Sequence, residues 1–236
     1  MQILPKKIFV KNKDKGIEKA KELIYKSSSF DTVLFLSGGS TPKPLYETLA
    51  RDKKLQIGAV GMVDERFGEK MHENSNEKMI AETGLKDCLD DQNIRFYGVL
   101  KNKEIDETAE NYDETARWLL YHFNRSIGIL GIGADGHIAG IAPNRKDFIN
   151  PMFDRESQKL FADYFDDSKG LFKKRVTMTF LSLSMLDQII VLAFGKEKKK
   201  ALQKMFTEGS KEEIPVRFLA QKGIAEKTIV ITDQKV

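Results

Sequence analysis

The chain has 236 residues, 41% hydrophobic and 31% charged, with 17 Gly and 6 Pro, which excludes global disorder and any collagen-like or low-complexity chain. Lys and Arg number 39 against 35 Asp and Glu, so the net charge of +4 is a small excess of interleaved signs and argues against a nucleic-acid partner. The single cysteine, Cys88, provides neither an internal disulfide nor a zinc cluster. Lys6 and Lys7 interrupt the N-terminus where a signal peptide would be apolar, and the longest apolar run, Ile189 to Phe194, is far too short to span a bilayer. These features predict one cytoplasmic domain over residues 1–236, with no membrane partner.

Short β-branched or aromatic runs alternate with amphipathic stretches, the rhythm of a parallel sheet with crossover helices. In chain order the pattern predicts a strand at Ile8 to Val10, a helix at Gly16 to Tyr25, a buried strand at Thr32 to Leu36 and a helix from Pro42 to Arg51. A strand at Ile57 to Val63 comes next, then a polar loop from Asp64, a helix near Asn76 to Thr83 and a strand at Ile94 to Val99. Ile105, Ala109, Tyr112, Ala116, Leu119 and Phe123 recur at three- and four-residue spacing and define a core-facing helix. The remaining strands are expected at Ile127 to Ile132, Arg175 to Phe180, Ile189 to Phe194 and Thr228 to Ile231. Asn144 to Lys174 lacks a clear period and is read as an irregular insertion or a lid.

Four segments carry chemistry. Ser37-Gly38-Gly39-Ser40-Thr41-Pro42 joins a buried strand to a helix start, so its glycines, hydroxyls and free helix amides can cradle a phosphate. The plainer reading is a tight turn in which Ser40 or Thr41 caps the helix. Asp64-Glu65-Arg66-Phe67 ends an apolar strand in charge, where Arg66 can grip phosphate and Asp64 a substrate hydroxyl; a surface salt-bridged loop is the alternative.

Leu130 to Pro143 is the most specific segment, for it delivers Asp135 and His137 from a glycine-rich strand end, a carboxylate beside an imidazole able to act as general base. His72 and His122 are read as hydrogen-bonded core residues. After the strand ending at Phe194, Gly195 leads into a lysine run in which Lys198 is the preferred phosphate ligand and a solvated helix face the alternative.

In this order SGGSTP, DERF with the downstream Ser75-Asn76, GADGHIA, Arg175 to Thr179, and Gly195 with Lys198 resemble the superfamily of 6-phosphogluconolactonases and glucosamine-6-phosphate deaminases. The resemblance implies an α/β fold with a doubly wound, mostly parallel sheet and helices on both faces, a six-carbon sugar phosphate as ligand, and no metal or cofactor. Arg66, Ser75-Asn76 and Arg175-Val176-Thr177 are lactonase-like, and Ala142 stands where the deaminases carry a glutamate five residues after the histidine. Ile138 and the segment Ile214 to Asp233 are closer to the deaminases, and Gly140-Ile141-Ala142 matches neither branch.

The resemblance therefore implies hydrolysis of 6-phosphogluconolactone, with His137 and Asp135 catalytic. Ser37, Gly38, Gly39, Ser40, Thr41, Asp64, Arg66, Arg175 and Lys198 would hold the substrate and its phosphate, in a monomer or small homo-oligomer. The alternatives are a deaminase recruiting another carboxylate, Glu65 or Asp147, and a non-catalytic sugar-phosphate-binding protein.

Overall fold

The computed structural model describes residues 4–143, 157–165 and 173–236. Its main sheet has seven parallel strands. In chain order they are β1 (Lys6–Phe9), β2 (Thr32–Leu36), β3 (Ala59–Met62), β5 (Arg95–Phe96), β6 (Arg125–Gly131), β9 (Gln188–Ala193) and β10 (Thr228–Thr232), laid side by side as β1-β10-β9-β6-β2-β3-β5. The central strands β2 and β9 are buried along their whole length, as continuous runs such as Thr-Val-Leu-Phe-Leu require when both faces are covered. Helices α1 (Lys13–Ser27), α2 (Lys43–Asp52), α3 (Asn76–Glu82), α4 (Leu85–Asp91) and α5 (Ile105–His122) pack around this sheet, so the doubly wound α/β class expected from the sequence is the one adopted.

From β2 the strands run outward through β3 to β5, whereas from its neighbour β6 they run the other way through β9 to β10. Strand order therefore reverses between β2 and β6. The crevice beyond the carboxyl ends of strands at such a reversal is where open α/β sheets bind ligands. The loops that leave these two strands are the Ser37 loop and the Gly131 to Pro143 segment.

A second, antiparallel sheet departs from the expected rhythm. It comprises β4 (Asp64–Arg66), β8 (Lys174–Met178) and β7 (Phe161–Phe165), in the order β4-β8-β7. Asp64 to Arg66, expected as loop, is thus a strand, and the strand anticipated at Arg175 to Phe180 belongs to this sheet and stops at Met178. Phe180 instead begins α6 (Phe180–Met185), capped by the Thr179 hydroxyl, which accepts from Ser182 N at 3.2 Å. Within the expected irregular segment, β7 is a regular strand; residues 144–156 and 166–172 of it lie outside the described residues.

Helix α5 fastens the two sheets together. The buried Tyr112 hydroxyl accepts from Met62 N at 2.6 Å and donates to the Tyr97 carbonyl at 2.9 Å. At the next position, Asp113 accepts from Leu160 N at 2.5 Å and Phe161 N at 2.8 Å, at the start of β7. The Phe161 ring meets Tyr112 edge-on at 4.7 Å.

Candidate active site

The residues expected to be catalytic or to hold the substrate and its phosphate all line one cleft of about 780 Å³: Ser37, Gly38, Gly39, Ser40, Thr41, Asp64, Arg66, Asp135, His137, Arg175 and Lys198. The first wall is the loop between β2 and α2. Tyr46, fully buried in α2, donates to the Ser37 carbonyl at 2.7 Å and pins the loop from below. No side chain caps α2, so the plainer reading of Ser40 or Thr41 as its cap is not what the loop does. The Ser37 hydroxyl is buried without a hydrogen-bond partner, a cost of about 1–3 kcal/mol that a bound oxyanion relieves. Gly39 has φ +97°, a region that favours glycine.

The second wall is β4. Asp64 is buried at the cleft, and Asn76 joins it to Arg66: its Nδ2 donates to the Asp64 carbonyl at 2.8 Å, while its Oδ1 accepts from Arg66 Nη1 at 2.8 Å. A second Nη1 bond, to the Asn74 carbonyl at 2.9 Å, completes a guanidinium held by neutral acceptors. The salt-bridged surface loop is therefore not the arrangement here, for no ion pair among the described residues involves Arg66. Asn76 lines the cleft as well, although in the sequence it stands out only as half of the Ser75-Asn76 motif. A Cβ on Gly38 would lie 1.8 Å from Asn76 Oδ1, so the glycine lets the loop after β2 approach Asn76.

Glu65 faces away from the cleft. Fully buried, its carboxylate accepts from Asn76 N at 2.8 Å, Glu77 N at 2.9 Å and Ser75 Oγ at 3.0 Å. Burial pushes its carboxyl up to about 7, against the pull of the amide donors. Its work is to hold the start of α3, which excludes it as the substitute for the glutamate missing at Ala142. Asp147, the other carboxylate considered, lies outside the described residues.

The Gly131 to Pro143 segment supplies the third wall. Asp135 Oδ1 stands 2.7 Å from His137 Nδ1 and also accepts from the His137 backbone N at 3.1 Å. A carboxylate can only accept, so it selects the Nδ1–H tautomer and leaves Nε2 with its lone pair. The imidazole hydrogen bond holds the Asp135 carboxyl down at about 2. A Cβ on Gly133 would fall 2.0 Å from His137 Nδ1, so this pairing demands glycine there. The second sheet braces the loop, with Thr177 donating to the Ala139 carbonyl and Tyr164 to the Gly140 carbonyl.

Lys198 is half-buried at the cleft while Lys196, Lys199 and Lys200 are exposed, which separates the one ligand candidate from its neighbours. It ends a 3-10 turn, Lys196–Lys198, ahead of α7 (Lys199–Lys204), and is not in the first turn of a regular helix. Neither of the other two histidines is a core residue, contrary to expectation: His72 is half-buried, with Nε2 2.9 Å from the Arg66 carbonyl, and His122 is exposed and stacks on Trp118 at 4.4 Å.

Three cations, a hydroxyl- and glycine-rich loop and an Asp-His pair thus meet in one cleft at the sheet reversal, an arrangement suited to an anionic ligand. Residues 7–230 match the family model of glucosamine-6-phosphate isomerases and 6-phosphogluconolactonase, and the chain belongs to that family. It is 28% identical over 194 residues to a 6-phosphogluconolactonase of Rhizobium meliloti, covering 80% of this chain and 79% of that one. It is 27% identical over 237 residues to a glucosamine-6-phosphate deaminase of Streptococcus uberis, covering 98% and 97%. Among solved structures, a 6-phosphogluconolactonase from Shewanella baltica shares the fold, with a TM-score of 0.76 at 20% identity over 97% of this chain and 96% of that one.

Proposed function

We propose that this protein hydrolyses 6-phosphogluconolactone to 6-phosphogluconate. The observation that carries the reading is the Asp135–His137 pair, 2.7 Å apart, in the same cleft as Arg66, Arg175 and Lys198. The lactonase names of several relatives support it, as does Ala142, which leaves the deaminase glutamate without a counterpart.

A δ-lactone carbonyl is electrophilic enough for an activated water. His137 Nε2 takes a proton from water as its oxygen bonds to the carbonyl carbon, giving a tetrahedral oxyanion. Collapse of that oxyanion breaks the bond between the carbonyl carbon and the ring oxygen, and the imidazolium returns its proton to the departing oxygen. The acid formed then ionises in water. Asp135 holds the tautomer and stabilises the transient imidazolium. Arg66, Arg175, Lys198 and the Ser37 to Thr41 loop hold the phosphate, which fixes the lactone against the base, and Asp64 accepts from a substrate hydroxyl.

Parallel incubation with 6-phosphogluconolactone and with glucosamine-6-phosphate tests this reading. Acid release above the spontaneous rate, without ammonia, is expected. Ammonia release from the amino sugar would make the protein a deaminase, and binding without turnover of either would make it a sugar-phosphate-binding protein.

A further inference from the structure

A second cavity, of about 620 Å³, opens beside the edge strand β5, between the loop from Tyr97 to Lys103 and the face of α5. Its volume lies in the range of small-molecule sites, roughly 300–1,000 Å³. Two rings form part of its wall. Trp118 is 45% exposed, and its centroid lies 5.7 Å from that of Tyr97. His122 stacks on Trp118 at 4.4 Å and the Arg95 guanidinium lies 4.8 Å from the Tyr97 centroid, so both rings are held in place.

The charge around these rings is one-sided. Arg95, Lys101 and Lys103 line the cavity against a single carboxylate, Glu114. Lys103 is paired with Glu107, whereas no ion pair among the described residues takes up Arg95 or Lys101.

The wall is also fixed from behind. Glu77, buried in α3, accepts from Val99 N at 2.5 Å and Leu100 N at 2.9 Å, and Tyr112 donates to the Tyr97 carbonyl at 2.9 Å. A loop whose backbone is satisfied by buried side chains keeps its shape when empty, which lowers the entropy cost of binding.

From the fixed aromatic wall, the excess of cations over carboxylates in the lining and the volume, we propose that this cavity is a second ligand site that takes a planar heteroaromatic anion of mononucleotide size. The ring stacks against the Trp118 and Tyr97 wall and the phosphate meets Arg95 and Lys101. A convex aromatic patch would suit a second copy of the chain better; the concavity with cations around it favours the small anion.

Trp118 is the only tryptophan of the chain and so reports on this cavity directly. The experiment follows its emission as adenosine 5′-monophosphate, adenosine and inorganic phosphate are added in turn to the full chain. Saturable quenching by the nucleotide is expected, with adenosine at least about tenfold weaker and phosphate without effect. Arg95→Ala with Lys101→Ala, both at exposed positions, should weaken the nucleotide about tenfold or more, while Arg66→Ala in the other cleft should leave it unchanged. The proposal is overturned by the absence of saturable quenching, or by quenching that survives the double variant. Loss of quenching in Arg66→Ala, or a Trp118 spectrum that depends on protein concentration without nucleotide, would overturn it equally.

Discussion

Arg66 and Arg175 stand directly opposite each other in the antiparallel pairing of β4 with β8, and both line the cleft. Opposed cross-strand residues share a face at roughly 4.5–5.5 Å between Cβ atoms, where like charges are destabilising. A dianionic phosphate bound between them would convert that repulsion into attraction. The second sheet, which the parallel rhythm of the sequence did not announce, is thus what brings two guanidiniums to one cleft.

Removing either arginine should therefore cost ligand binding more than it costs the fold. With about 1.5–3 kcal/mol for each charge-assisted contact, Arg66→Ala or Arg175→Ala should raise KM about tenfold or more. Inorganic phosphate should raise the wild-type Tm and raise that of each variant less. Steady-state kinetics and thermal melts with and without phosphate check both, and unchanged KM in both variants would remove the cradle.

Gly38→Ala should reproduce much of the same defect without touching a charge. Its Cβ would need the space of Asn76 Oδ1, 1.8 Å away, and Asn76 is the side chain that positions Arg66. The expected result is a raised KM with a smaller change in kcat, read from initial rates; wild-type kinetics would show that the loop and β4 move independently.

Stability should fall as pH rises toward neutrality through Glu65. Its carboxyl sits at about 7 in the folded chain, above the usual carboxylate range near 4.3, so between those values the folded state binds more protons than the unfolded one. Stability from this group is full below the unfolded value and declines as pH passes up through about 7. Denaturant titrations across that window should show the decline in the wild type and a flatter profile in Glu65→Gln.

Much of the cleft is legible in the sequence because its residues cluster in loops that leave buried strands. Thr32 to Leu36 and Ile127 to Ile132 announce themselves as continuous apolar runs, and the loops that leave two adjacent parallel strands must share one rim of the sheet. The second sheet is harder to read: β4 has only three residues, all charged, and its pairing with β8 depends on a chain separation that no local period encodes. Helix α4, unanticipated, has only seven residues and begins directly after Gly84. Asn76 is obscured for a different reason, since an asparagine beside Ser75 reads as a helix cap. Ser75 does cap α3, accepting from Lys78 N at 3.1 Å, while the Asn76 side chain reaches back to β4.

Asp135→Asn should separate orientation from binding. An amide can offer N–H to Nδ1 and so favour the tautomer with hydrogen on Nε2, which cannot accept the proton from water. We expect kcat to fall on the order of 10²-fold or more with KM little changed. Because the wild-type Asp135 carboxyl is held at about 2, its own titration should leave the rate unaffected from mildly acid to neutral pH. A wild-type-like kcat in the variant would assign the pair a structural role only.

The most direct measurement is the background-corrected turnover of 6-phosphogluconolactone by the wild type and by His137→Ala, side by side at neutral pH. The lactone hydrolyses unaided, so the spontaneous rate is subtracted from both. A general base contributes roughly 10²- to 10⁴-fold, and His137→Ala should lose about that much in kcat while its phosphate affinity stays near that of the wild type. Turnover within a few-fold of the wild type would contradict His137 as the base and the mechanism built on it.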